Sequence, residues 1–206
     1  FIFLSSVKAG GETSDISGPL CSEMPSIPED AYGRTKLAAE NVLFSLARKS
    51  QMEVVALRAP LIYGPGIKGN LLSLFNFVNH GIPLPLKWTT NRRDFLCVFN
   101  LVDAANRLMQ AEIVPGRSYY ICDGEPISTS QLIRRIANAL NRPVRLFPVP
   151  VPILRLAGQM SGYSSAISRL TKSLEVDGAE FCREVGWSPP YQMKEGLAQT
   201  AAWYKS

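Results

Sequence analysis

The sequence predicts an α/β protein built on a parallel sheet, and three observations carry that reading. The chain opens on an apolar run, Phe1 to Leu4, that ends in two serines, the pattern of a buried parallel strand whose C-terminal end faces a ligand crevice. From Tyr32 to Ser50 a helical stretch carries apolar residues at Leu37, Val42, Leu43 and Leu46. The β-branched and apolar segment Glu53 to Gly66 then reads as a second strand stopped by a Gly-Pro-Gly turn. Strand, helix, strand is a βαβ unit.

Between the first strand and its helix, Val7 to Asp30 is rich in Gly, Ser, Pro and acids and reads as a loop. Asn70 to Gly81 reads as a helix closed by Gly81, with His80 placed where a partial positive charge suits the helix dipole. The alternating prolines of "IPLPL" (Ile82 to Leu86) forbid regular structure there. Arg92 to Ala111 reads as a short strand running into a helix, Arg117 to Gly124 as a strand, and Ser128 to Asn141 as a helix capped by Ser128 or Ser130. Beyond Pro143 a proline-rich, irregular stretch leads to Asp177 to Pro190 and a closing helix from Met193. No internal repeat or low-complexity tract interrupts this order.

With 206 residues, 46% hydrophobic and 19% charged, the chain has the composition of a globular protein with a core. Its formal net charge of +5 comes from scattered basic residues, without a Lys/Arg tract or aromatic-basic interleaving, which argues against nucleic acid. A small anionic substrate fits the same charge. Apolar stretches are broken by Pro, Arg or Asp before the ~18 residues of a membrane span, so no membrane partner is expected. Four cysteines without a CxxC, and one histidine, point to reduced thiols in the cytoplasm and to no metal centre.

Tyr32 and Lys36 stand four residues apart, on one face of the expected helix. A phenol, with a pKa of ~10, is a poor base at neutral pH unless a nearby cation favours its ionised form. The pair is thus either a packing detail or half of a proton-transfer device, and spacing leaves both open. A complete dinucleotide fold also needs a strand, a Gly-rich turn and a helix early in the chain. "AGG" (Ala9 to Gly11) and "GPG" (Gly64 to Gly66) have neither the spacing nor the setting.

Five features occur in order: Ser5-Ser6 at a strand end, Tyr32 with Lys36, "LRAPLIYGP" (Leu57 to Pro65), Arg93 to Ala104 with its "RDF" and "VDAA", and the tail from Gly186 to Trp203. Together they resemble the extended short-chain dehydrogenase/reductase family, in particular its nucleotide-sugar epimerases and dehydratases. The resemblance implies the C-terminal portion of a Rossmann-type parallel sheet plus a small mixed α/β substrate-binding lobe. Residues 1–66 would be what remains of the dinucleotide-binding domain and 67–206 mainly the substrate lobe, with 95–140 returning partly to the sheet. A missing N-terminal cofactor-binding half is expected, and with it either association with that half or a homodimer.

The same resemblance assigns roles. Ser6 would hold the reacting sugar hydroxyl, Tyr32 would be the acid/base and Lys36 its electrostatic partner and a ligand of the nicotinamide ribose. Ser5, Ala59, Pro60 and Leu61 would join them around NAD, with NADP as the other possibility. Lys8, Asn70, Leu71, Pro83, Leu84, Arg93 and Arg169 would face a UDP-sugar. Asn70 reads equally as a plain N-cap, and the cap reading is the stronger one for His80. Four positions depart from common patterns: Leu61 replaces an asparagine, Gly10 a loop tyrosine, and Val7-Lys8 the acid pair of dehydratases. The implied activity is 4-epimerisation of a UDP-sugar. A C4 ketoreductase, or a lobe that binds nucleotide sugar and cannot hold NAD, is the alternative.

Overall fold

The computed structural model describes residues 1–112 and 115–206. The chain divides into two compact units. Unit 1 comprises Phe1–Ile62, Asp94–Glu125 and Leu174–Gln192; unit 2 comprises Tyr63–Arg93, Pro126–Ser173 and Met193–Ser206.

Unit 1 holds a parallel three-stranded sheet in the order β1 (Ile2–Ser6), β2 (Val55–Ala59), β5 (Arg117–Tyr120). Helix α1 (Ala31–Lys49) connects β1 to β2, so the expected βαβ unit is present. Register places Ser5 beside Arg58 and Ser6 beside Ala59, which brings both strand ends to one edge of the sheet. The segment read as one strand after α1 is two: Pro60 has no N–H to continue the ladder, and β3 (Leu61–Tyr63) pairs instead with β4 (Phe95–Cys97). Helices α3 (Val98–Leu108) and α7 (Ala179–Val185) complete the unit. Its core is built from Leu57, Leu96, Tyr119, Ile121, Phe181 and Trp187. The indole of Trp187 is fixed by an Nε1–H bond to Asp103 Oδ2, 2.8 Å.

Helix α1 departs from its apolar pattern. Val42 and Leu46 are exposed, and the two buried residues are Gly33 and Glu40. A carboxylate rather than a leucine thus faces the sheet.

Unit 2 is helical. Helix α4 (Thr129–Leu140) packs between α2 (Gly69–Asn79) and α8 (Met193–Lys205), burying Leu71, Phe75, Ile133, Ile136 and Leu197. Ser128 caps α4 through a reciprocal bond with Gln131, as its Ser-x-x-Gln spacing allows. His80 caps the C-terminus of α2. The stretch expected to be irregular contains α5 (Val151–Ser161) and α6 (Ser164–Thr171). Proline 152 misleads there because it occupies the first helical turn, where its missing N–H has no intrahelical partner to lose. Within "IPLPL" the prolines leave the Leu84 N–H free to donate to Arg145 O, 2.9 Å, in an isolated bridge.

Candidate active site

In unit 1 the predicted residues cluster at the C-terminal ends of β1 and β2. Ser6 closes β1 and its Oγ accepts a bond from the Lys8 N–H, 3.3 Å, capping a short 3-10 turn, Val7–Ala9. The first turn of α1 presses on that turn. A Cβ on Gly33 would lie 2.3 Å from the Lys8 carbonyl oxygen, so only glycine permits the approach. Asp30 starts the helix by accepting from the Gly33 N–H, 2.7 Å.

Tyr32 stands on this first turn and is half exposed. Lys36, one turn on, donates to the Leu4 carbonyl at 2.9 Å. Its Nζ lies 5.8 Å from the centre of the Tyr32 ring and 4.9 Å from that of Phe3. An ammonium has three N–H bonds, so the tie to Leu4 fixes Lys36 and leaves donors for a ligand hydroxyl. At the end of β2, where Ala59 pairs with Ser6, Ala59 and Pro60 are buried and Leu61 is exposed, an apolar run.

Lys8, expected at the sugar, makes ion pairs with Glu12, at 3.1 Å, and with Asp30. Burial pulls its pKa down, but the bonds and charges of Asp30 and Glu12 outweigh that and leave it above the ordinary lysine value. The Asp30 carboxyl is lowered, first by its bond from Lys8 and then by the Gly33 N–H.

Beneath the serines lies a polar network not foreseen from the sequence. Arg58, in the middle strand, donates to Glu40 of α1 through Nε at 3.1 Å and Nη2 at 2.7 Å, and both side chains are almost wholly buried. Ser5 Oγ donates to the same carboxylate, as does Ser118 Oγ at 3.0 Å. Arg58 also reaches Tyr120 Oη, 3.2 Å, and Ser26 Oγ, 2.8 Å. Burial lowers an arginine's pKa, yet Glu40 more than offsets it here. Burial raises the Tyr120 phenol against the pull of Arg58. Gly10 is explained by the same group, because a Cβ there would meet Tyr120 Oη at 1.7 Å. The signal available beforehand was one arginine inside an apolar strand, which demands a buried anion.

A cleft of about 430 Å³ borders Phe1, Ile2, Val55 and Met109. It lies at the N-terminal ends of the strands, opposite Ser6 and Ala59, whereas ligands of parallel sheets bind at the C-terminal ends.

The remaining predicted residues belong to unit 2. Asn70 is exposed in the first turn of α2, but the N-cap is Lys68, so the plain N-cap reading of Asn70 does not hold. Leu71 is buried in the core of the unit. Pro83 is exposed, and Leu84 is held in the bridge to Leu146. Arg93 pairs through its backbone with Ile127, and its guanidinium donates to the Lys172 carbonyl, 3.1 Å. Arg169 turns back on its own helix toward Ser165 O, 3.1 Å, and Ser165 Oγ, 3.2 Å.

Residues 1–122 match the NAD dependent epimerase/dehydratase family. The chain is 39% identical over 202 residues to a UDP-glucose 4-epimerase of Vibrio cholerae, covering 98% of this chain and 62% of that protein. It is 24% identical to the N-acetyl-alpha-D-glucosaminyl-diphospho-ditrans,octacis-undecaprenol 4-epimerase of Escherichia coli O157:H7, covering 85% of this chain and 57% of the relative. Among solved structures, UDP-glucuronic acid 4-epimerase from Bacillus cereus in complex with NAD superposes with a TM-score of 0.78 at 19% identity, over 100% of this chain and 59% of that one. At such identity the likeness is one of fold, the mixed α/β architecture with a parallel sheet. The chain thus spans 62%, 56% and 53% of the length of three curated relatives that it matches. Because the family match covers more than half of the chain, the protein belongs to the NAD dependent epimerase/dehydratase family.

Proposed function

We propose that the whole protein is a UDP-sugar 4-epimerase in which Ser6, Tyr32 and Lys36 carry the proton transfer. The observation that supports this most directly is the Lys36 ammonium, tied to the Leu4 carbonyl of β1 and 5.8 Å from the centre of the Tyr32 ring. Kinship with a UDP-glucose 4-epimerase at 39% identity supports the substrate class.

The residues at the strand ends suit NAD. Lys36 would bind a ribose hydroxyl with its remaining N–H bonds, while the exposed Leu61, following the buried Ala59 and Pro60, would offer a flat ring an apolar side chain. Bound there, NAD supplies a hydride acceptor and donor. Tyr32 takes the proton from the sugar hydroxyl and later returns it, and the Lys36 cation stabilises the negative charge on the phenol oxygen. Ser6 hydrogen-bonds the same sugar oxygen and holds it in line. Ser5, bonded to Glu40, fixes the strand end beside the proposed NAD site. Arg93, Asn70, Pro83, Leu84 and Arg169 are proposed as contacts to the nucleotide, and Lys8, already paired with two carboxylates, as a weaker contact to the sugar.

The test is turnover of the whole protein with UDP-glucose, UDP-N-acetylglucosamine and a 4-keto UDP-sugar, followed at the reduced-nicotinamide absorbance. Interconversion of C4 epimers without net cofactor consumption is expected; stoichiometric loss of NAD(P)H with the 4-keto sugar would establish the reductase instead. Tyr32→Phe should lower kcat by ~10²–10⁴ with KM nearly unchanged. An equal loss of UDP-sugar affinity would make Tyr32 a structural residue.

A further inference from the structure

The charges of the chain are segregated between its units. Unit 1 carries nine lysines and arginines against sixteen carboxylates, a formal charge of −7; unit 2 carries thirteen against Glu195 alone, a formal charge of +12. Pro126 to Ser173 holds seven of these cations and no carboxylate. A diphosphate of about two negative charges is answered by two or three such groups, so most of this charge is surplus to a nucleotide substrate.

Helix α5 of the same unit is apolar on two sides. Its inner side, Leu154 and Gly158, is buried, and a Cβ on Gly158 would lie 2.8 Å from Ile167 of α6. At about 100° per residue, Pro152, Ile153, Leu156, Ala157 and Met160 fill a continuous arc on the opposite side. That arc is bare: Ile153 is 56% exposed, Leu156 57% and Met160 84%, with Tyr163 just beyond at 67%. Arg155 and Gln159 border it, the arginine donating to Thr171 Oγ1 at 3.4 Å.

We propose that the outer face of α5, with the cations of its unit, docks the protein on an anionic phospholipid bilayer. An apolar arc flanked by Arg155, on a unit of strong positive charge, suits a helix lying in the headgroup region: the aliphatic side chains enter the acyl boundary and the cations meet phosphates. A nucleic acid would use the charge and leave the arc bare. A second copy that met this face through its own α5 would set one cationic unit against another, which opposes pairing. No helix among the described residues is long and apolar enough to cross a membrane, so the contact is peripheral.

Sedimentation of the whole protein with vesicles tests this. Vesicles of phosphatidylcholine mixed with phosphatidylglycerol should carry it down, vesicles of phosphatidylcholine alone should not, and added salt should release it. Leu156→Glu and Met160→Glu should each weaken partitioning by about tenfold without moving the thermal midpoint, since both side chains are exposed. Arg155→Gln should weaken it by less. No wild-type binding above the phosphatidylcholine control, or binding that both glutamate variants retain, overturns the proposal. So does equal retention on heparin with no effect of the α5 variants, which would make the surface a general polyanion site. An oligomer that Met160→Glu dissociates in light scattering would overturn it too, by assigning the face to a second copy.

Discussion

Arg58 and Glu40 share a buried ion pair that also holds Ser5, Ser118 and Tyr120, so each charge depends on the other for its solvation. Glu40→Gln keeps the shape but leaves the Arg58 cation uncompensated. It should cost about 3–5 kcal/mol in urea unfolding, and adding Arg58→Met should recover much of the loss. A cost no larger than that of a surface substitution would show the pair to be dispensable. Cys122 gives a pH prediction of definite sign. Burial, then the charge of Asp94, push its thiol from 9.0 up to about 12. A raised folded pKa stabilises fully below the unfolded value and is lost as pH rises from about 9 toward 12. Over that window the native protein should therefore lose about 1.4 kcal/mol per pH unit more than Cys122→Ala. Parallel alkaline profiles of the two would remove the thiol from the account. Tyr32 and Lys36 were legible because a helix converts their spacing into adjacency. Glu40 was not, because a lone glutamate on a helix ordinarily reads as solvated.

The first turn of α1 shows how an element carries a site. Asp30 fixes where the helix begins, and Gly33 lets it lie against the turn that follows Ser6, so the Tyr32 and Ser6 backbones are set by one contact. In a helix, glycine to alanine ordinarily stabilises by ~1 kcal/mol. Here the sign should reverse. Gly33→Ala meets a backbone oxygen that cannot rotate away, so the whole protein should lose about 1–3 kcal/mol and lose kcat more than KM. A more stable variant with full activity would mean that the turn yields. The βαβ order, α4 with its serine cap and the closing helix were all readable, since each rests on local period or local caps. The break at Pro60 was not, because only the pairing of the neighbouring strands shows that the ladder ends there; nor was α5, whose Pro152 sits in the first turn where its missing N–H is harmless.

At the scale of the molecule, cations that look scattered along the sequence collect in unit 2, because three separate segments of the chain build it. A run-based reading of charge cannot see such a surface, just as a strand read in isolation does not announce its neighbours. Strand β1 lies at an edge of the three-stranded sheet, with Phe1 63% and Leu4 42% exposed. An apolar edge of this kind offers its N–H and C=O groups to another chain, and edges are ordinarily guarded by charge. Lys36 guards one carbonyl here, that of Leu4. The 206-residue chain alone, at micromolar concentration, should therefore self-associate through β1, and Leu4→Lys, which adds a second charge to the edge, should shift it toward monomer. Size-exclusion chromatography with light scattering reads this directly. A single species near 22.7 kDa with a cooperative thermal transition in the unsubstituted chain would show that one lysine is guard enough.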